Sequence, residues 1–318
     1  MRSDRAIDLL TEGFRSPDKI IPYLEKRYSA FKYGASILNR PHQKKSLHEF
    51  IQQDEFAILI LDSCRFDYFQ QEVGDFLDGD LKTVYTSATA TKNYIQTVWD
   101  GSYPDLTYLT ALSAPTDHTF ERDGDDYRPS EHFDNFVHVW QNYENKELGA
   151  VPPEEMTKAA LRQNDDRMIV HYVQPHAPYI GDYRLREDSD DTTWGESLQD
   201  IYERIGRYDL NDKTISDEEL KKAYRSNLCR VLSSVRELVS QLDRPVVVTA
   251  DHGEMLGEGG RYIHGGSPTE QLCTLPWFEV DESIIGTTSS DNIEQVDQTG
   301  SDFTEQDVEE QLKDLGYL

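Results

Sequence analysis

The chain has 318 residues, with 60 Asp and Glu against 32 Lys and Arg, and a formal net charge of −28. That balance disfavours a nucleic-acid partner, since a phosphate backbone would be repelled and no basic stripe is visible. The carboxylates are spread among strong apolar runs, which excludes a disordered tail and reads as a halophilic surface whose self-repulsion is screened by dense salt.

Residues 1–50 read as a polar, helical N-terminal extension interrupted near Pro22 and Pro41. Within it, Ile20, Ile21, Tyr23 and Leu24 alternate with Lys19, Lys26, Arg27 and Lys32, which suits packing on the domain or a peripheral membrane contact. No run approaches the roughly 18 apolar residues of a membrane span. Cys64, Cys229 and Cys273 have neither disulfide-type nor metal-type spacing, so a soluble protein of a reducing, cytoplasmic compartment is expected.

The first core strand is expected at 56–61, ending on Asp62, with a turn and helix over 62–80. The segment 83–101 is rich in Thr and Ser, and 106–109 reads as another strand. Residues 114–135 are acidic and loop-like. A strand at 168–173 runs into Gln174-Pro175-His176-Ala177-Pro178-Tyr179, a proline-bounded turn. A second acidic insertion, 181–215, reads as a solvated excursion or a substrate-covering lid. The clearest helix covers 217–242, opened by a capping box from Ser216 and Glu219 and carrying an apolar stripe from Leu220 to Leu242. It feeds the strand 246–250, which stops at Asp251-His252-Gly253-Glu254. Residues 284–302 form an acidic linker, and a last helix starts at Thr304. Helix-to-strand alternation of this kind predicts a largely parallel sheet covered on both faces.

In such sheets ligands sit beyond the carboxyl ends of the strands. Asp62, Asp251 and His252 all stand there, so they are candidate ligands of one divalent cation. Two carboxylates and an imidazole suit Zn or Mn, whereas a mainly oxygen donor set suits Mg or Ca. The hydroxyls of Thr86 to Thr91 offer something for that ion to activate, and Lys92 could hold an anionic oxygen. His176 is rigidly placed for charge stabilisation or proton donation, while His171 reads as a core residue. His264 follows a glycine-rich loop able to approach an anion.

The order of these motifs resembles the sulfatase and alkaline phosphatase superfamily, over about residues 56 to 318, and the acidic surface points to a haloarchaeal, sulfatase-like member. The resemblance implies an α/β, three-layer sandwich with a mainly parallel central sheet and a small C-terminal subregion. It divides the chain into an extension (1–50), a hydrolase core (51–283), and a linker with C-terminal helix (284–318). It also implies Asp62, Thr91, Asp251 and His252 as metal ligands. Counting back from Asp100-Gly101 makes Thr91 the nucleophile, with Thr89 and Ser87 as alternatives. Lys92 and His176 would assist catalysis, and His264 and Asn93 would contact an anionic phosphate or sulfate ester, on surface glycans or their precursors. The chain lacks the Cys-x-Pro-Ser-Arg motif of classical sulfatases, has Asp62-Ser63 in place of paired aspartates, and has Asn93-Tyr94 where Pro-Ser is usual. A non-catalytic binding or scaffold protein and a phosphomutase of the same superfamily are the alternatives.

Overall fold

The computed structural model describes residues 40–112, 116–122, 124–143, 148–185, 201–202, 204–205 and 213–287. Most of the expected extension, the amphipathic stretch 19–38, the centre of the acidic insertion and the C-terminal linker and helix lie outside the described residues.

Eleven strands are described. They are β1 (Phe56–Leu61), β2 (Gly79–Tyr85), β3 (Tyr103–Thr110), β4 (Phe120–Arg122), β5 (Asp125–Tyr127), β6 (Phe133–His138), β7 (Arg167–Tyr172), β8 (Val246–Ala250), β9 (Met255–Leu256), β10 (Tyr262–Ile263) and β11 (Thr274–Val280). The helices are α1 (Gln43–Phe50), α2 (Phe66–Glu72), α3 (Thr91–Val98), α4 (Pro153–Gln163), α5 (Asp217–Val239) and the short α6 (Glu270–Cys273). Seven strands make one sheet in the order β2-β11-β8-β1-β7-β3-β6. The run from β8 to β6 is parallel, and only β11 is antiparallel to its neighbours. Six carboxyl ends, that of β2 included, therefore open on the same edge.

β1 and β8 are buried at every position, as strands covered on both faces must be. Adjacent side chains of β11 show the two layers. Trp277 meets Phe50 of α1, and Phe278 meets Phe69 of α2. Likewise His171 faces Tyr94 of α3, while Tyr172 hydrogen-bonds Thr157 of α4. The α5 stripe is buried throughout, and each such Leu or Val contributes about 1.5–3 kcal/mol relative to exposure. Its Ser216–Glu219 capping box forms as expected.

Two segments differ from expectation. Residues 120–138 are not loop: Phe120 and Tyr127 pair across the β4–β5 hairpin, Tyr127 donates to the Trp99 carbonyl, and β6 joins the sheet edge. The many charges mask this, because they fall on the exposed positions. The last part of the expected extension, α1, lies against the sheet with Leu47 fully buried in the main core.

Asp117 ties this edge together. Its carboxylate accepts from Arg128 Nε at 3.1 Å and from the Ser130 backbone at 2.9 Å, and lies 3.3 Å from His138 Nε2. Burial opposes its charge, but the bonds from His138 and Ser130 and the Arg128 charge prevail and hold its pKa down at about 2. A depressed carboxylate stabilises fully above its unfolded pKa, near ~4, and that stabilisation disappears as pH falls through the folded value. Asp117→Asn is expected to cost about 2 kcal/mol at neutral pH and to flatten the loss of stability below roughly pH 4, as read by denaturant titration.

Candidate active site

Asp62 follows β1 directly, and its N–H continues the ladder to the Tyr172 carbonyl at 3.1 Å. The chain then turns sharply at Ser63, whose φ of 61° is in the left-handed region. This turn aims the Ser63 N–H at Asp251 Oδ1 (3.0 Å) and its hydroxyl at Asp62 Oδ1 (3.1 Å). The Ser63 carbonyl is fixed in turn by the Tyr224 hydroxyl from α5 at 2.7 Å. Where a paired aspartate would add charge, this serine donates hydrogen bonds to both carboxylates.

Asp251 and His252 leave the end of β8. Gly253 is required next to them, because a Cβ there would lie 1.9 Å from the Gln271 carbonyl oxygen. The Gly253 carbonyl accepts from His252 Nδ1 at 2.9 Å, which assigns the proton to Nδ1 and leaves the Nε2 lone pair facing inward. Nε2 lies 3.3 Å from Asp251 Oδ2, 3.5 Å from Asp62 Oδ1 and 3.3 Å from Thr91 Oγ1. All four side chains are fully buried.

A lone pair facing two carboxylates in a dry interior is repulsive unless a cation or proton lies between them. Asp62 Oδ2 and Asp251 Oδ2 find no hydrogen-bond donor among the described residues. Burial, then the adjacent Asp251, pushes the Asp62 carboxyl well above the carboxylate range. Burial also acts against the Asp251 charge, yet His252, His171 and hydrogen bonds from Ser63 and Thr91 hold Asp251 below its ordinary value. Two carboxylates, an imidazole and a hydroxyl fit a divalent cation of the Zn or Mn kind.

Thr91 is the first residue of α3, a helix without a side-chain cap, so the positive end of the helix dipole lies beside its hydroxyl. The alternatives lie elsewhere. Ser87 is exposed, and the Thr89 hydroxyl donates to the Gly266 carbonyl at 3.3 Å. Lys92 is half-buried and Asn93 exposed, so neither is among the fully buried groups around His252.

A second group stands alongside. Ligand atoms of His176, Glu254 and His264 all lie within 4.8 Å of one another, as do those of Asp62, Asp251 and His252. The rings of His252 and His264 are centred 4.6 Å apart, and those of His264 and His176 5.0 Å apart, so a row of imidazoles joins the groups. His264 is stapled near Thr91 by Gly265 N–H to the Thr89 carbonyl at 2.6 Å, and the β-branched Ile263 just before it has a φ of 58°. His176 Nδ1 pairs with the Ala177 carbonyl, and burial, then His264, lowers its pKa to about 4.

Two residues were missed as site members. Glu254 closes the Asp251-His252-Gly253-Glu254 stretch after β8, and its place two residues beyond His252, after an obligatory glycine, is the available signal. His171, read as core, is buried but lies 3.8 Å from Asp251 Oδ2 and pairs with the Tyr108 hydroxyl at 2.8 Å. Burial lowers its pKa to about 4, against the opposing pull of the Asp251 charge.

The fold is α/β, with its acidic and imidazole side chains gathered beyond the carboxyl ends of a mainly parallel sheet. No family model matches the chain. Over 237 residues, 72% of its length, the chain is 27% identical to the low-salt glycan biosynthesis sulfotransferase Agl7 of Haloferax volcanii. That match takes in 53% of the relative, so the chain spans about half the length of the curated protein it resembles. Among solved structures, the soluble domain of lipooligosaccharide phosphoethanolamine transferase A from Neisseria meningitidis aligns with a TM-score of 0.46 and 16% identity, over 71% of this chain and 76% of that one. The periplasmic domain of EcEptC from Escherichia coli, in complex with Zn, gives 0.41 and 13%, over 74% and 80%. Among the described residues no helix is long and apolar enough to cross a membrane.

Proposed function

We propose that the chain is a divalent-metal-dependent transferase or hydrolase of phosphate or sulfate esters, with Thr91 as nucleophile. The observation that carries this reading is the fully buried Asp62–Asp251–His252 group set against the Thr91 hydroxyl at the start of α3. Asp62, Asp251, His252 and Thr91 would hold a cation; when bound, it supplies positive charge that makes the Thr91 alkoxide accessible and offsets the ester's anionic oxygens. Asp251, His252 and Ser63 orient the site before substrate arrives, which places Thr91 Oγ for in-line attack. The bond from Thr91 Oγ to phosphorus or sulfur forms as the ester oxygen departs with its electron pair and takes a proton. An acceptor hydroxyl then displaces Thr91, giving transfer to an alcohol or hydrolysis by water. Lys92 at the first turn of α3 would meet the anion, with Asn93 at the rim.

His176, with its low pKa, serves better as a ligand than as an acid, so His176, Glu254 and His264 offer a second cation position beside the anion. The likeness to a glycan sulfotransferase supports a glycan or glycan-precursor substrate. The acidic composition supports work in high salt, and thiols at Cys64, Cys229 and Cys273 that form no disulfide support a reducing cytoplasm.

Metal analysis followed by assays on aryl phosphate, phosphodiester and aryl sulfate esters in high salt tests this. The expected result is turnover of at least one class that stops on chelation and returns with Zn or Mn, together with a chelator-induced fall in thermal midpoint. Bound metal with no turnover of any ester would leave a binding module instead.

A further inference from the structure

The acidic excursion after β7 reads from its sequence as a solvated excursion or a substrate-covering lid, and its described turn is docked. Ile201, Tyr202 and Ile205 are 3%, 2% and 1% exposed and share one apolar cluster with Ala177, Tyr179, Leu256 and Ile263. Each of the three groups of the second position has a neighbour there: Ala177 follows His176, Leu256 lies two residues past Glu254, and Ile263 precedes His264. Backbone bonds from Ile205 to Ile201 (3.0 Å) and from Thr214 and Ile215 to the Arg204 carbonyl (2.8 and 3.0 Å) hold the turn. From it the Tyr202 hydroxyl reaches His176 Nε2 at 3.4 Å.

His176 Nδ1 faces the Ala177 carbonyl and carries the proton, so Nε2 is the acceptor and the phenol donates to it. That lone pair is the one a cation at His176, Glu254 and His264 would need. We propose that Tyr202 competes with a divalent cation for His176 Nε2, so that the acidic insertion sets the affinity of the second metal position. This rests on the two-position reading above.

The test is calorimetric titration of Zn²⁺ or Mn²⁺ into the metal-stripped full chain in high salt. The parent should take two equivalents, and His176→Ala should lose the second. Tyr202→Phe keeps the ring and removes the competitor, so its second equivalent should bind about five-fold more tightly, the worth of one ordinary hydrogen bond, with the first unchanged. A merely structural tyrosine would give the opposite, weaker binding with a lower thermal midpoint. Two equivalents in the parent with unchanged or weaker second binding in Tyr202→Phe overturns the competition alone. A parent that takes a single equivalent overturns the two-position reading beneath it.

Discussion

Thr91→Ala is expected to lower ester turnover by at least about 10³-fold, as loss of a covalent nucleophile does, while the protein still takes up its cation. The hydroxyl lies 3.3 Å from His252 Nε2 and hydrogen-bonds Asp251, and the side chain is fully buried. Neither neighbouring hydroxyl can substitute: Thr89 is bonded across to the Gly266 carbonyl, and Ser87 faces solvent. Thr91→Ser keeps the oxygen and should retain measurable turnover. The comparison is single-turnover kinetics of the three proteins with metal content measured in parallel. Turnover by Thr91→Ala at the parent's rate would remove threonine from the mechanism.

Asp62→Asn should separate stability from function. With a cation present, loss of a charged ligand is expected to weaken its affinity by about 100-fold or more, and turnover should fall with it. In the metal-stripped protein the same change removes a carboxylate that burial and Asp251 both disfavour. The amide oxygen can still accept from the Ser63 hydroxyl. The stripped variant should therefore be more stable than the stripped parent, by on the order of 1–3 kcal/mol. Thermal melts of both proteins, with chelator and with saturating metal, should cross over in rank. A variant less stable than the parent under both conditions would show that the carboxylate pair is not held at a cost.

Much of the site's geometry was visible in the sequence, because apolar runs that stop on an acidic residue mark strand ends. Asp62, Asp251 and His252 meet as that pattern implied, and the Thr-rich segment delivers Thr91 to them. The α5 stripe and its capping box were equally legible, since helical periodicity reports burial directly. What escaped notice depends on contacts distant in sequence. Glu254 looks like any charged loop residue until His176 and His264 are brought to it. His171 sits in a strand whose neighbours are all apolar, and only pairing along the sheet shows that it backs Asp251. Tyr202 lies in a segment whose acidity suggested a solvated excursion or a lid, with nothing to show that Ile201 and Ile205 anchor it.

The tie between α1 and β8 bears on where this protein can be cut. Gln43 donates its side-chain amide to the carbonyl of Ala250, the residue before Asp251, and to Thr249 Oγ1 at 3.2 Å, while Arg40 reaches Thr274 Oγ1 at 2.7 Å. A fragment trimmed to begin at the first core strand would retain every recognisable motif and yet lose the buttress behind its Asp-His edge. Any excision meant to preserve that edge should start upstream of Arg40.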